Sequence, residues 1–197
     1  AADINILVET ALCSNDNDDD YSLEGFDLFR NDIEPQIVTR TPYGSAIYIK
    51  NLLDCITLPF RYNYNKVEIT ITVINHPSSN GHQGIHIVSI YRSPTKVKFS
   101  QFIEALDHLQ TTQLVNQRAI VFGDFNVDLS KNSHEHKALL SNMVQSKGYT
   151  QLITNCTTDY QTQIDHIYTN IPRLIYTSGI LESYYSDHKP IFACIRL

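Results

Sequence analysis

The stretch Ala119-Ile-Val-Phe-Gly-Asp-Phe-Asn-Val-Asp-Leu129 constrains the fold more than any other. Ala119 to Phe122 is a short apolar run, long enough for a buried strand. Gly123 ends the run, and Asp124 and Asn126 follow at once. One residue separates them, so on extended backbone both side chains leave the same face. A carboxylate and an amide at the C-terminal end of a buried strand are well placed for a polyatomic anion and its metal. The competing reading is a turn, which Asp and Asn after a strand often shape.

At 197 residues the chain fits one domain, spanning 1–197, and its 42% hydrophobic and 18% charged residues suffice for a core. Its formal charge is −6, whereas proteins that hold nucleic acid by bulk charge are usually basic. Any nucleic-acid contact must therefore be local, or helped by bound cations. Excess carboxylate suits a divalent-metal site and plain solubility alike. The four cysteines, Cys13, Cys55, Cys156 and Cys194, are far apart. None has metal-knuckle spacing, and they read as free thiols in a reducing compartment. Neither a membrane span nor a signal peptide is expected. The opening Ala-Ala-Asp, in place of Met, reads as excision from a longer protein.

Strands are expected at Ile4–Val8, closed by Glu9, and at Phe26–Phe29. A strand-end carboxylate such as Glu9 is either exposed or, if buried, paired or bound to metal. Residues 13–20 are acidic but lack the Gly and closing Glu of a calcium loop, so they read as a solvated loop. Residues 31–42 read as a loop, and Gly44–Lys50 as a strand. Leu52 to Tyr64 is not legible. Val67–Ile74 alternates as a half-buried strand does, and with Ile85–Tyr91 it forms an expected hairpin across the turn cluster 76–81. Tyr91 and Arg92 end that second strand. Phe99, Phe102, Ile103, Leu106 and Leu109 fall at helical spacing. A second helix is expected between His136 and Val144, stopping near Gly148. Short strands follow at 151–153, 163–169, 175–181 and 191–197. Many strands, few helices and no repeat argue for a mixed-sheet α/β or α+β domain.

Eight histidines need sorting. His82 and His86 are four apart, but Gly81 and Gly84 disfavour a zinc-binding helix. His134 and His136 flank Glu135 in a polar segment, and His76 and His108 carry no supporting context. His166 follows Asp165 in a strand and should face the opposite side of the sheet. His188 differs. Asp187 and His188 at a strand entrance could hold a metal and move a proton, and Asp165 could orient the imidazole.

Glu9 in ILVET, Tyr91 in YRSP, Asp124 and Asn126 in GDFN, Asp165 in QIDHIYTN, and Asp187 and His188 in SDHKPI occur in this order. Together they resemble the endonuclease/exonuclease/phosphatase superfamily, most of all the apurinic-type endonuclease domains of non-LTR (LINE-like) retrotransposons. The resemblance covers almost the whole chain. It implies a DNase I-like, four-layer α/β sandwich of two mixed β-sheets flanked by helices, with the site at one end. It implies Glu9 and Asp187 at a Mg²⁺ site, with Mn²⁺ as the alternative ion. It implies Asp124 on the attacking water, Asn126 on a phosphate oxygen, Asp165 paired with His188, and His188 on the scissile phosphate. Tyr91, with Arg92, would support the phosphate.

Members of that family begin with an earlier strand ending in Asn, then a helix. This chain opens on the strand of Glu9, so an N-terminally truncated domain is expected, with open sheet edges that invite self-association. The leading expectation is a Mg²⁺-dependent DNA-nicking endonuclease of retroelement origin, intracellular and nuclear, fused to a reverse transcriptase in the full-length protein. One rival is a catalytically silent binding module that keeps the fold. The other is a phosphatase or phosphodiesterase of the same superfamily acting on a small or lipid phosphate.

Overall fold

The computed structural model describes residues 2–32, 44–75 and 84–196. Its strands are β1 (Ile4–Val8), β2 (Phe26–Asn31), β3 (Ser45–Lys50), β4 (Cys55–Tyr64), β5 (Val67–Ile74) and β6 (Ile85–Tyr91). After helix α1 (Phe99–Thr112) come β7 (Arg118–Asp124) and helix α2 (His134–Leu140). The chain closes with β8 (Thr150–Gln151), β9 (Asp165–Thr169), β10 (Ile175–Ile180) and β11 (Ile191–Ile195).

Alternation sorts the side chains of the central strands. Ile69 and Ile71 of β5, Val88 and Ile90 of β6, and Ala119 and Val121 of β7 share one face with Phe102, Ala105, Leu106 and Leu109 of α1 and Leu139 of α2. Ile74, Ile85, Ile87, Ile120 and Ile167 share the other. These strands form a six-stranded sheet in the order β4-β5-β6-β7-β9-β8. It is mixed: β6 and β7 run parallel, and their outer neighbours β5 and β9 run antiparallel to them.

The second face meets a layer in two pieces. One is the antiparallel sheet β1-β3-β2, the other the β10-β11 pair. Ile4 and Ile6 from β1 and Ile180, Ile191 and Ala193 from the pair pack against the same apolar cluster. Among the described residues no strand joins the two pieces. On the outer side of β3, the Tyr48 hydroxyl donates to the carbonyl of Tyr21, 2.8 Å, in a short 3₁₀ turn at Asp18–Tyr21. The result is the layered α/β sandwich expected from the sequence.

Several expectations can be placed. The β5–β6 hairpin is present, with Glu68 opposite Tyr91 and Ile74 opposite Ile85. The second helix is α2, continued by a π-helical turn at Ser141–Ser146. The illegible stretch 52–64 holds β4, a ten-residue strand. Pro59 and two register shifts break its pattern, and it is tolerated because β4 is a sheet edge. The four cysteines are free thiols. The turn cluster 76–81, with His76, and also His82 lie outside the described residues, as does most of the loop 31–42. No helix among the described residues is long and apolar enough to cross a membrane.

Candidate active site

Four strands end in one row. Glu68 of β5 pairs with Tyr91 of β6, Tyr91 with Asp124 of β7, and Asp124 with Asp165 of β9. All four stand on the side facing the second layer, because they share the parity of Thr70, Ile87, Ile120 and Ile167 along their strands. Gly123 makes the close strand contact possible: a Cβ there would lie 1.8 Å from the carbonyl oxygen of Ile90.

Asp165 is 9% exposed and Asp124 3%. The Asp165 amide donates to Thr157 Oγ1, 3.1 Å, which also accepts from the Ile164 amide, 3.2 Å. A bridge between Thr158 and His188 brings the loop before β11 alongside. His188 Nδ1 then lies 3.2 and 3.1 Å from the two carboxylate oxygens of Asp165. That hydrogen bond, against the opposing pull of burial, raises the imidazole to about 9, so it is an imidazolium at neutral pH. Its Nε2 has no hydrogen-bond partner among the described residues, leaving an N–H for a substrate oxygen. Burial, then repulsion from Asp165, pushes Asp124 up to about 7.

Asn126 joins the cluster by a different geometry from the extended alternation expected. Strand β7 stops at Asp124, and Asn126 adopts φ +49°, a conformation Asn tolerates. Its amide N–H donates to Asp124 Oδ1, 2.8 Å, an Asx turn. Its side-chain NH₂ donates to Asp124 Oδ2, 3.0 Å, and to the carbonyl of Arg92, 3.1 Å. Both side-chain hydrogens are thus engaged, and donation to a phosphate oxygen requires one bond to open. The turn reading is realised, and the turn holds Asn126 against the Asp124 carboxylate.

Arg92, expected beside Tyr91 at the phosphate, is turned inward. It is 5% exposed, and its guanidinium donates to the carbonyls of Asn126, 3.0 Å, Phe125, 3.4 Å, and Val97, 3.3 Å. It is a clamp on the Asn126 turn, because a buried guanidinium is held by every acceptor within its fork. Asp128, absent from the sequence-based set, makes a second clamp. Its Oδ1 accepts from the Ser130 amide, 3.0 Å, the Ser130 hydroxyl, 2.6 Å, and the Gln163 amide, 3.0 Å. Burial opposes its charge, yet these bonds and Lys131 hold the carboxyl at about 2.

The other half of the row comes from the second layer. Glu9 follows β1 with φ +56°, an uncommon conformation for a residue with a side chain. The Tyr91 hydroxyl donates to its Oε1. Glu9 lies near enough to add to the upward push on Asp124 and on Glu68. Glu68 is a further residue the sequence reading passed over. Burial raises its carboxyl, while the Gly44 amide donates to its Oε2, 3.1 Å. Alternation and register alone would have exposed it as the neighbour of Tyr91.

Asp187 stays apart from the Asp124–Asp165–His188 group. It is exposed, its carbonyl accepts from the Asp159 amide, 2.9 Å, and its charge adds to the rise at His188. His166 is fully buried on the opposite sheet face, as expected. Its Nε2 lies 3.0 Å from the carbonyl of Val127, its ring packs between Phe125 and Tyr168, and burial lowers it to about 4. His134 opens α2, and His136 Nδ1 lies 2.7 Å from the carbonyl of Lys131. His108 stacks on Tyr64, with ring centroids 4.1 Å apart.

Asp124, Asp165 and His188 each offer a ligand atom within 4.8 Å of the others. Two buried carboxylates with Glu9 nearby repel one another, and a divalent cation relieves that repulsion. The carboxylate oxygens suit Mg²⁺ and also admit Mn²⁺. The donor set therefore fits a metal.

The profile of the Endonuclease/Exonuclease/phosphatase family matches residues 10–188. The chain belongs to that family, and its architecture is the DNase I-like hydrolase fold. Among solved structures it resembles the endonuclease domain of TRAS1, a telomere-specific non-LTR retrotransposon. The TM-score is 0.68 at 18% identity, over 90% of this chain and 83% of that one. An AP endonuclease from Archaeoglobus fulgidus gives 0.63 at 16%, over 99% and 89%. The human Nocturnin catalytic domain gives 0.61 at 16%, over 98% and 81%. No curated protein matches by sequence.

Proposed function

We propose that the protein is a divalent-metal-dependent phosphodiesterase that nicks DNA, working as a retroelement endonuclease. The observation that carries this reading is the group of buried Asp124 and Asp165 with half-buried His188, whose ligand atoms lie within 4.8 Å. Hydrolysis of a phosphodiester needs a positioned nucleophile and neutralisation of charge on the phosphate oxygens. The His188 imidazolium, pinned through Nδ1 to Asp165, donates from Nε2 to a phosphate oxygen. Asp124, held by the Asn126 turn, orients the attacking water and takes its proton. Asn126 holds the Asp124 carboxylate in place, and Arg92 clamps the Asn126 turn. The carboxylates of Asp124 and Asp165, with Glu9 nearby, would hold Mg²⁺ or Mn²⁺, which would supply Lewis-acid stabilisation of the phosphate, while Asp187 stands outside that group. Tyr91 orients Glu9. The domain would act on nuclear DNA, joined to a reverse transcriptase in the full-length protein. Among the described residues β1 bonds only to β3, and β10 and β11 only to each other. Copies of the chain would associate through these open edges, and light scattering that finds a monomer at every concentration counts against it.

The test is nicking of supercoiled plasmid with Mg²⁺, with EDTA, and with His188→Ala. Metal-dependent nicking by the parent that falls about 10²–10⁴-fold in the variant supports the reading. A folded parent that leaves the plasmid intact with Mg²⁺ and with Mn²⁺ sinks it.

A further inference from the structure

Three tyrosines on two loops beside His188 have no interior role. Tyr160, Tyr184 and Tyr185 are 76%, 92% and 100% exposed. Single exposed apolar side chains are ordinary, whereas several on joined loops can make an interaction surface. The loop from Leu181 to Pro190 is closed at its neck, where the Leu181 amide donates to the Pro190 carbonyl, 2.8 Å. Inside it the Tyr185 amide donates to Ser183 Oγ, 3.3 Å, and the His188 amide to Ser186 Oγ, 3.1 Å. Tyr184 and Tyr185 stand on this loop, within four residues of His188.

The Tyr160 loop is fastened to it. The Asp159 amide donates to the Asp187 carbonyl, 2.9 Å, and the Lys189 amide to the Thr157 carbonyl, 2.8 Å. Tyr160 sits at the tip of a tight turn, next to Gln161 at φ +59°, closed by Thr158 and Thr162 hydroxyls 2.6 Å apart. The three phenols therefore ride on one hydrogen-bonded unit that also carries His188. Charge around the three tyrosines, away from His188, argues against a second phosphate there. Apart from His188, which faces Asp165, the unit's cation among the described residues is Lys189, paired with Glu182 at 3.2 Å, and Asp159 and Asp187 add negative charge. What the unit offers is flat π surface, and nucleobases stack on such surfaces whatever their sequence.

We infer that Tyr160, Tyr184 and Tyr185 form an aromatic rim that receives an unstacked nucleobase adjoining the phosphate bound at Asp124, Asp165 and His188. The inference rests on the phosphodiesterase reading and adds a preference for DNA whose bases are free at the cleavage point. Base and phosphate are thus divided between neighbouring parts of one loop, with aromatic groups before Asp187 and the imidazolium after it.

The probe is a short single-stranded oligonucleotide carrying 2-aminopurine, mixed with the full chain in EDTA so that it stays uncut. Stacking on the rim changes its fluorescence. Tyr184→Ala/Tyr185→Ala loses that change and binds about tenfold more weakly, while Tyr184→Phe/Tyr185→Phe behaves as the parent. An abasic oligonucleotide of equal length binds the parent about tenfold more weakly than the base-bearing one, and the alanine variant no longer distinguishes them. Equal binding of the two by the parent overturns the rim, as does failure of the parent to bind either, or alanine variants like the parent. Circular dichroism confirms that the exposed substitutions leave the fold intact. Base-dependent binding without nicking under any metal defeats the phosphodiesterase reading and leaves the rim standing. Nicking indifferent to the bases does the reverse.

Discussion

The two strand layers that enclose the site differ in how well they are buried. In the six-stranded sheet, Ile69, Ile90, Ala119, Ile120 and Ile167 are completely covered. Across from them, Ile4 and Ile6 of β1 and Ile191, Ala193 and Ile195 near the C-terminus are only half-buried. The first layer is one continuous ladder covered by α1 and α2. The second is split into three strands and two. Tyr91, Asp124 and Asp165 come from the covered layer, where neighbouring strands dictate their spacing. Glu9 and His188 arrive from the ends of the divided layer. The carboxylates are thus set by a rigid sheet, and the groups that complete the site depend on how well the weaker layer docks. In the second layer only the central strand β3 is as well covered, with Ile47 at 1% and Ile49 at 3% exposed; interior apolar burial stabilises by roughly 25 cal/mol per Å², so its half-buried outer strands contribute less per residue.

The largest expected effect joins the two layers through a single hydrogen bond. Asp165→Asn should cut plasmid nicking by about 10²–10⁴-fold. It should also bring the His188 pKa down from about 9 toward its ordinary value, read by NMR titration. An unchanged His188 titration would show that the layers are coupled by something else.

Packing provides the next contrast. Ile120→Ala, in the covered sheet, should cost about 2–5 kcal/mol in denaturant unfolding. Ile191→Ala, in the divided layer, should cost about 1 kcal/mol, since less of the side chain leaves water on folding. Equal losses would mean that the second layer is as well packed as the first.

A smaller effect is the pH dependence of stability without metal. The raised His188 pKa stabilises the fold below about 6.5, and that contribution is lost as pH climbs through about 9. The raised Asp124 pKa acts in the same direction. Its contribution is present below 3.8 and lost as pH rises through about 7. The Tm in EDTA should therefore fall between pH 4 and 9 on account of these groups, with Asp124→Asn flattening the lower part. Added Mg²⁺ should raise the Tm more at pH 8 than at pH 5, because it binds the ionised carboxylates. A Tm indifferent to Mg²⁺ at pH 8 would remove the metal from the site.

The smallest effect lies on the far side of the covered sheet. Ser133 caps α2, accepting from the His136 amide at 3.0 Å. Ser133→Ala should lower stability by about 1 kcal/mol and leave nicking unchanged, because α2 packs against the face opposite the row of site residues.

Much of this was legible in one dimension. Val67–Ile74 and Ile85–Tyr91 announced their strands by alternation, and parity alone sent His166 away from Asp165 to the other face. The GDFN, IDHIYTN and SDHKPI segments carried the family, and Asp165 and His188 do meet. Other parts were hidden for physical reasons. Pro59 and the register shifts of β4 mask its periodicity. Arg92 looked like a phosphate ligand because a motif does not say whether a guanidinium faces solvent or carbonyls. Glu68, Thr157 and Asp128 act through register and backbone hydrogen bonds, which join residues far apart in the chain.

By itself, then, the sequence determined where most strands and helices fall, β4 apart, which side chains share a face, and which polar residues stand at strand ends. Those follow from local periodicity and residue chemistry, which each segment carries without its partners. The tertiary structure decided the row Glu68–Tyr91–Asp124–Asp165, the raised pKa values of Asp124 and His188, and the Arg92 clamp. It also decided the joining of the Tyr160 and Tyr184 loops. Each depends on long-range register and on water excluded by other segments, and neither exists until the layers close on one another.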